Sequence, residues 1–332
     1  MGKKCFPCML VFDVCFKFKD FTIIEGYSII LLIHKTETAA PGKKGAGENR
    51  NTAMIQFTKM HGTGNDYVVI DGRKQKVASF SKLARAMSDR HYGIGSDGIL
   101  VLLDSKSADF RMRMFNPDGS EAEMCGNGIR CFAKYLYDNR MTSKKQLAIE
   151  TAAGIKELQI LVKNRRVSSV VVNMGEPILR RDRIPMIGSQ GMAVGETLQM
   201  DDGSRLTITA VSMGNPHVVI FVEEIERFPV DKYGPIVENH ALFPNRTNVE
   251  FVKVLNRKEV VQRTWERGTG ETLSCGTGAS AVTAACILNK LTDRKIRIHL
   301  RGGDLKTEWR EDDNTIYLSG PAVEVFTGEW PG

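Results

Sequence analysis

Two similar stretches decide how this chain is built: "EMCGNGIRCFAKYL" at 123–136 and "LSCGTGASAVTAACIL" at 273–288. Each contains Cys-Gly-x-Gly and then continues with the composition of a helix. Their cysteines, Cys125 and Cys275, are 150 positions apart. A helix start that begins with cysteine therefore occurs twice. This indicates that a larger segment is repeated at that distance.

Other parts of the sequence match at the same distance. "GNDYVVI" at 64–70 recurs as "GNPHVVI" at 214–220, and strand-like "GILVLL" at 98–103 falls opposite "NVEFVK" at 248–253. Single residues also match, namely Glu121 with Glu271, Gly126 with Gly276 and Gly128 with Gly278. Several unrelated matches at one offset predict a duplicated domain, with a Gly-Asn turn and a cysteine at a helix start in each copy.

The body of the chain is predicted to consist mostly of strands with a few helices. Residues 167–175, 206–213 and 295–303 have the β-branched content and turn punctuation of strands, and 79–90 is typical of a helix with a Ser cap. The helix after Cys125 places Arg130, Lys134 and Asp138 on one stripe, which predicts a face in water. The helix after Cys275 is small or apolar nearly all round, which predicts burial inside a curled sheet.

Bulk properties narrow the class of protein. The 332 residues carry a net charge of +7, of which residues 1–53 contribute +3 (8 Lys/Arg minus 5 Asp/Glu). The rest shows no long basic run with aromatics, so no nucleic-acid surface is predicted. No apolar stretch is long enough to span a bilayer. Seven irregularly spaced cysteines argue for a reducing compartment, which favours the cytoplasm.

Residues 1–53 differ in composition from the rest of the chain. The segment 39–53 has the composition of a flexible linker, and a strand-like run begins at Met54. A zinc site from Cys5, Cys8, Cys15 and His34 is an alternative, but a fourth ligand at standard spacing is missing. The prediction is an extension that is disordered or non-native, such as upstream sequence translated ahead of a start at Met54.

A cysteine at a helix start has a specific chemical advantage. The first turn leaves N–H groups unpaired and the helix dipole makes that end positive, so the thiol ionises more readily. Cys131 and Cys286 lie inside helices and are taken as core. A facing pair of Cys125 and Cys275 could be a redox dithiol, hold a metal, or serve as a base and an acid on opposite faces of one carbon. CxxC spacing and histidines at ligand spacing are absent from the duplicated body, which favours the acid/base pair.

Polar residues near these cysteines fit an amino-acid substrate. Glu266 and Arg267 precede the second cysteine, and such a pair can bind an ammonium and a carboxylate. Asparagines occur in four turns: Asn65, Asn116, Asn215 and Asn248. Asn is favoured in turns for backbone reasons alone, but Asn65 and Asn215 also match across the repeat.

These motifs resemble those of the diaminopimelate epimerase family. The resemblance rests on "KMHGTGNDYVVID", "FNPDGSEAEMCGNGIRCFA", "MGNPHVV", "NRTNVEFV" and "ERGTGETLSCGTGASA", and it covers the chain from Met54 onward. It implies an α/β (α+β) fold of two pseudo-symmetric domains, each a curled mixed β-sheet or barrel around a central helix. The implied domains are 54–170 plus 321–332, and 171–320, because the last strand returns to the first domain.

The resemblance also implies a function and a site. It implies cofactor-independent, metal-free interconversion of LL- and meso-2,6-diaminopimelate, a step towards lysine and peptidoglycan precursors. Cys125 and Cys275 are the implied acid/base pair, assisted by His217 and Glu266. The backbone at Gly126, Asn127, Gly276 and Thr277 would hold the carboxylate, while Asn65, Asn116, Asn215, Asn248, Glu266 and Arg267 would bind substrate. Some family members have a substrate-touching Gln at the place of Gly98, where this chain has no side chain.

Two other functions stay open from the sequence. One is a racemase or epimerase of another amino acid, such as proline or hydroxyproline, although the Glu266/Arg267 pair and the asparagines favour a second head group. The other is a thiol redox or binding protein of the same fold. The expected partner is a small-molecule substrate, with no nucleic acid and no membrane. The sequence does not determine the oligomeric state, and a homodimer is left open.

Overall fold

The computed structural model of the chain describes residues 54–200 and 202–331. The predicted extension over residues 1–53, with the alternative zinc ligands Cys5, Cys8, Cys15 and His34, lies outside the described residues. The described part is dominated by strands, and these strands belong to one hydrogen-bonded network.

Both halves of the described chain follow the same order of elements, except that the second half begins with an additional 3₁₀ turn and strand. The first half contains β1 (Ile55–Gly62), β2 (Asn65–Asp71), α1 (Phe80–Ser88), β3 (Ile99–Leu103), β4 (Phe110–Phe115), β5 (Glu121–Ala122), α2 (Gly126–Asp138), β6 (Gln146–Thr151), β7 (Gly154–Lys163) and β8 (Arg166–Asn173). The second half contains a 3₁₀ turn (Arg181–Arg183), β9 (Glu196–Gln199), β10 (Arg205–Ser212), β11 (Pro216–Phe221), α3 (Val230–Glu238), β12 (Asn248–Asn256), β13 (Glu259–Glu266), β14 (Gly270–Thr272), α4 (Gly276–Leu288), β15 (Lys295–Leu300), β16 (Gly303–Trp309) and β17 (Ile316–Gly320), and β18 (Val323–Trp330) ends the chain.

The 150-residue offset of the sequence is also the offset of the structure. Helices α3 and α4 begin and end 150 residues after α1 and α2. Strands are neighbours in the order β1-β2-β3-β4-β6-β7-β8 in the first half and β10-β11-β12-β13-β15-β16-β17 in the second. The predicted fold, two pseudo-symmetric α/β copies with curled mixed sheets, is confirmed.

The parallel neighbours explain where the helices lie. In each half two adjacent pairs are parallel, β2 with β3 and β4 with β6, then β11 with β12 and β13 with β15. A parallel connection must cross the sheet, and helices make these crossings. Helix α2 packs on β1, β2 and β8, and α4 packs on β10, β11, β12 and β16, so each central helix is enclosed by its own strands.

The two halves are joined along an approximate twofold axis. Strands β8 and β17 pair antiparallel with Val170 opposite Gly320, and the hydroxyls of Ser169 and Ser319 hydrogen bond at 2.8 Å. Both of these pairs are 150 residues apart. The last strand, β18, pairs antiparallel with β1 of the first half. The domain boundaries at 170/171 and 320/321 stay a prediction.

Two of the predicted helices have the surroundings expected from their sequences. Ser79 is the N-cap of α1, and its hydroxyl accepts a hydrogen bond from the backbone N–H of Lys82 at 3.3 Å. Helix α4 is buried over almost its whole length, as its small and apolar side chains predict. Because most of these side chains are small, strands can pack closely against the helix on every side.

The predicted water-facing stripe of α2 is wrong. Arg130 is fully buried, and the side chains of Lys134 and Asp138 are only 12% and 2% exposed. Lys134 and Asp138 form an ion pair at 2.7 Å, while the Arg130 guanidinium donates to the carbonyl of Gly126 at 3.0 Å. The polar stripe can be enclosed because its side chains find hydrogen-bond partners inside the protein, which the helical spacing does not reveal.

Candidate active site

The two cysteines occupy equivalent positions at the start of the central helices. Cys125 is the N-cap of α2 and Cys275 is the N-cap of α4, both with extended backbone. The two helix starts face each other, since a Cβ built on Gly276 would lie 3.6 Å from the Cα of Gly126. The first-turn N–H groups of both helices have no acceptor within their own helix. Two positive helix ends therefore converge on one point between the thiols.

An inner chamber lies at this point, with a volume of about 480 Å³. The size falls in the range of small-molecule sites. Its lining includes most of the predicted site: Asn65, Cys125, Gly126, Asn127, Asn215, Glu266, Cys275, Gly276 and Thr277. The structure therefore brings together residues from both halves that are far apart in sequence.

An outer chamber of about 1150 Å³ adjoins the inner one. The two chambers share Asn65, Cys125, Glu266 and Ser274 in their linings. The outer chamber adds Asn116 together with charged side chains of both signs. A long molecule with a polar group at each end could therefore occupy both chambers.

Cys275 lies in a dry environment with carboxylates nearby. Burial raises the pKa of the Cys275 thiol well above its usual value, and the carboxylates of Glu266 and Glu250 raise it further. Thr277 is its hydrogen-bond partner, at 3.5 Å between Sγ and Oγ1. Burial also raises the pKa of the Glu266 carboxyl, while the Thr272 hydroxyl that donates to it at 2.7 Å opposes that effect. These surroundings favour a protonated Cys275.

Cys125 has different neighbours. Its sulfur lies 2.8 Å from the Tyr67 hydroxyl and 3.7 Å from Oδ1 of Asn65. Asn65 in turn donates from Nδ2 to Asp97 at 2.5 Å and accepts from Asn127 Nδ2 at 3.3 Å. The first cysteine therefore faces a phenol and an amide oxygen, and no carboxylate of residues 54–200 and 202–331 hydrogen bonds to it.

His217 is fully buried and belongs to a hydrogen-bonded chain that reaches the second helix start. Its Nδ1 lies 2.8 Å from Oε1 of Glu250, and its Nε2 lies 3.1 Å from Oδ1 of Asn215. Asn215 then donates to the Thr277 hydroxyl at 3.3 Å. His217 does not line either chamber, so any contribution to proton movement passes through these neighbours.

Two predicted substrate contacts lie away from both chambers. Asn248 is 5% exposed, donates to the Pro216 carbonyl at 2.9 Å and accepts from the Arg267 N–H at 2.9 Å. The exposed Arg267 guanidinium donates to the Asn245 carbonyl at 2.9 Å. Asn248 thus holds the backbone of Arg267 in this structure, and substrate contact by either side chain stays a prediction.

The backbone at Gly98 explains why a side chain is missing there. Its φ is +151°, and a Cβ built at this position would collide with the carbonyl oxygen of Phe115. Strand β3 begins at the residue after Gly98. It pairs parallel with β2, the strand that starts at the first Gly-Asn turn. A larger residue would require another backbone path, so Asn116 and Asn65 are left to line this side of the chambers.

Sequence reasoning missed three residues of the site. Tyr67 contacts Cys125, Glu250 holds His217, and the Ser274 carbonyl accepts from Asn127 Nδ2 at 3.1 Å. The repeat offset carried a signal for two of them. Tyr67 is opposite His217, and Glu250 is a lone acid in an apolar strand where the first copy has Leu100. No comparable signal marked Ser274.

Residues 54–200 and 202–331 contain neither a candidate metal centre nor a candidate membrane span. No three His, Cys, Asp or Glu side chains come together there in a group that could hold a metal ion. No helix in that part of the chain has the length and apolarity needed to cross a membrane.

Solved structures show which proteins share this fold. A hydroxyproline epimerase from Agrobacterium vitis superimposes with a TM-score of 0.63 at 14% identity, covering 84% of this chain and 93% of that one. A phenazine biosynthesis protein of the PhzF family from Bacillus anthracis gives a TM-score of 0.60 at 20% identity, covering 83% and 99%. The fold is the one these proteins share, in which epimerases occur.

Sequence comparison identifies the family. The diaminopimelate epimerase family model matches residues 57–179 and 209–325. Proteins named diaminopimelate epimerase from Agathobacter rectalis and Methanococcus maripaludis are each 51% identical, over 281 and 275 residues. Both alignments cover 83% of this chain and 99% of the relative. The chain belongs to the diaminopimelate epimerase family, and it is an enzyme of the isomerase class.

Proposed function

We propose that this enzyme interconverts LL- and meso-2,6-diaminopimelate by moving protons between two cysteine thiols and the substrate, without a cofactor. The observation that carries the proposal is the position of Cys125 and Cys275, which begin two facing helices and line one chamber. Inverting a stereocentre needs a base on one face and an acid on the other. We infer the substrate from the name of the similar proteins, diaminopimelate epimerase.

The reaction balances without any external reagent. The thiolate of one cysteine removes the proton from the α-carbon, and the electron pair of that C–H bond stays on the carbon. The thiol of the other cysteine then donates its proton to the opposite face. The first cysteine ends as a thiol and the second as a thiolate, so the pair is ready for the reverse reaction.

The facing helix starts would stabilise the negative charge that develops beside the reacting carbon. The first-turn N–H groups at Gly126, Asn127, Gly276 and Thr277 border the chamber and are suited to binding the α-carboxylate. A fixed set of donors in a chamber shielded from water is most effective for this purpose. Gly126 and Gly276 suit this role because side chains would fill the space between the helices.

The remaining predicted residues would recognise the rest of the substrate. The second head group would occupy the outer chamber beside Asn116 and Glu266. Arg267, held by Asn248, is the predicted contact for its carboxylate once substrate is bound. His217 and Glu266 would assist proton movement at Cys275. The activity fits a step towards lysine and peptidoglycan precursors in a reducing compartment, the cytoplasm.

Turnover in heavy water tests the proton path. When LL-diaminopimelate is converted and the reaction is stopped early, meso product should carry deuterium at the inverted carbon, because the donor thiol has exchanged with solvent. The remaining LL substrate should carry little deuterium, because the first thiol returns its original proton on reversal. Early meso product without deuterium, detected by mass spectrometry or NMR, would contradict a two-thiol mechanism.

Single cysteine variants and a second substrate are the controls. Cys125→Ala and Cys275→Ala should each lower epimerisation by ~10²–10⁴-fold, the usual contribution of a positioned acid or base. Cys131→Ala and Cys286→Ala remove buried thiols from the same two helices and should retain activity. Turnover of proline would favour the other racemase function, and disulfide reduction without epimerisation would favour a thiol redox protein.

A further inference from the structure

Tyr67 makes a contact with the first thiol that has no counterpart at the second. Its side chain is 1% exposed, and its hydroxyl lies 2.8 Å from Sγ of Cys125. The same hydroxyl donates to Oδ1 of Asn65. A phenol has only one proton to donate, so it can serve one of these two acceptors at a time.

The alternative partners indicate what happens when the thiol ionises. While Cys125 carries its proton, the phenol can donate to Asn65 and the sulfur needs no donor. Once the sulfur is a thiolate, it becomes the stronger acceptor and the O–H can turn towards it. Asn65 is not left unpaired by this rotation, because Asn127 Nδ2 still donates to its Oδ1 at 3.3 Å.

The phenol is suited to donate a proton in a hydrogen bond without transferring it. Burial raises the pKa of Tyr67 well above its usual value, and the nearby Cys125 raises it further. The hydroxyl is therefore protonated at neutral pH. It can stabilise a neighbouring anion but cannot replace the thiolate as the base.

The repeat places a different residue at the equivalent position of the second half. His217 lies 150 residues after Tyr67, and its ring contacts Glu250 and Asn215. Arg130 likewise has Ser280 as its equivalent. The first thiol therefore has a phenol as a hydrogen-bond partner and a buried cation on its own helix, while two carboxylates raise the pKa of the second thiol. The duplication has been retained in the backbone but not in the charges.

The charged groups around Cys125 come from several elements. The buried Arg130 of α2 has no acidic partner among the described residues and donates to the Gly126 carbonyl at 3.0 Å and to Thr63 Oγ1 at 3.1 Å. Asp97 lies behind Asn65. Glu123, Lys156 and Glu266 face the inner chamber. The outer chamber, which Cys125 also lines, adds Lys59, His61, Asp66, Arg90, Asp118 and Glu271. Arg130 is the fully buried charge in this set, so it favours an anion at the helix start.

We propose that Tyr67 is a positioning residue that holds Cys125 as the resting thiolate of the pair, by turning its O–H from Asn65 to the Cys125 sulfur. The proton of the resting pair then lies on Cys275. This inference rests on the proposed two-thiol function, and it assigns the two cysteines different protonation states before substrate binds.

Alkylation of the two cysteines as a function of pH tests this assignment, since only the thiolate reacts readily. The full chain and the Tyr67→Phe variant are treated with iodoacetamide, and mass spectrometry quantifies labelling at Cys125 and Cys275 separately. In the unaltered chain the Cys125 midpoint should lie below that of Cys275. Loss of a hydrogen bond to a charged group should raise the Cys125 midpoint in Tyr67→Phe by about one to two pH units. The Cys275 midpoint should not move.

Tyr135→Phe is the matched control, because it removes a hydroxyl from α2 without touching either thiol. It should leave both midpoints unchanged. A Cys125 midpoint that is unchanged in Tyr67→Phe, or that moves together with Cys275, would overturn the inference. Midpoints in the reverse order in the unaltered chain would overturn it without any variant. Full activity of Cys125→Ala would instead contradict the two-thiol function itself.

Discussion

Asn65 shows how single residues of the site are oriented by neighbours from other elements. Its Nδ2 can only donate, and it faces the carboxylate of Asp97 at 2.5 Å. Its Oδ1 accepts from Tyr67 and Asn127, so the amide has one stable orientation. The next residue, Asp66, is bonded to Lys59 and Arg90. Charged residues that line the outer chamber beside Asn65 therefore fix the orientation of its neutral side chain.

We predict that the ionisation of Asp66 makes the free energy of unfolding depend on pH in the acidic range. Burial alone would raise the pKa of Asp66, but hydrogen bonds from Arg90 and Lys59 lower it from 3.8 to about 2. Because the folded pKa is the lower one, the ionised carboxylate contributes fully above about pH 4 and the contribution is lost as pH falls towards 2. The loss should be about 2 kcal/mol of unfolding free energy.

Denaturant unfolding at several pH values measures this contribution. Asp66→Asn should weaken the acid dependence between these two pH values, whereas Asp104→Asn, at a side chain 84% exposed, should not. The same acid dependence in Asp66→Asn and in the unaltered chain would contradict the prediction.

At the scale of elements, the two central helices have the same bounds but different neighbours. Gly128 of α2 faces Leu100, while Gly278 of α4 faces Glu250. Leu100 and Glu250 are themselves 150 residues apart. Glu250 is fully buried and accepts from Gln262 at 2.7 Å and Thr264 at 2.6 Å as well as contacting His217. The close approach of α4 to β12 therefore depends on the missing side chain at Gly278.

We predict that the same substitution destabilises one central helix and is nearly neutral in the other. A Cβ at Gly278 would lie 2.7 Å from the carboxyl carbon of Glu250, so Gly278→Ala must displace a buried acid that has three partners. We expect a loss of about 1–3 kcal/mol in unfolding free energy from overpacking. We also expect a fall in kcat/KM on the order of 10²-fold, because His217 loses its position.

Gly128→Ala is the matched control. Its Cβ would lie 3.2 Å from a methyl group of Leu100, which can shift by a few tenths of an ångström. The higher helix propensity of alanine, about 1 kcal/mol, should offset this crowding. Equal effects of the two substitutions on stability and kcat/KM would show that Glu250 has no special role.

At the scale of the whole molecule, the duplication brings two copies of one motif, a helix that begins after a cysteine, to the same chamber. The Ser169–Ser319 hydrogen bond and the close approach of Gly126 to Gly276 both join residues 150 positions apart. These contacts mark the twofold relation between the halves, so the two thiols approach the chamber from opposite sides. Neither half contains the complete chamber, because its lining comes from both.

We predict that oxidation inactivates the enzyme reversibly. Cys125 and Cys275 directly precede Gly126 and Gly276, which approach each other closely, so we expect oxidation to join the two thiols and block the chamber. Activity should fall with an oxidant and return with a thiol reductant, and peptide mapping should identify the bond. Cys131→Ala/Cys286→Ala should behave in the same way. Full activity after oxidation, with both thiols mapped as free, would contradict facing cysteines.

The duplication, the two helix starts and the cysteine pair could be predicted from the sequence alone, because repeats and capping residues are local patterns along the chain. The sequence was wrong about Arg130, Lys134 and Asp138, since helical spacing says which residues share a face but not what covers that face. The folded arrangement was needed to show that Tyr67 and Arg130 surround one thiol, and Glu250 and Glu266 the other. Tyr67 and Glu250 belong to β2 and β12, which are not next in sequence to the helices that the cysteines begin, and the electrostatic environment of a group depends on distance in space.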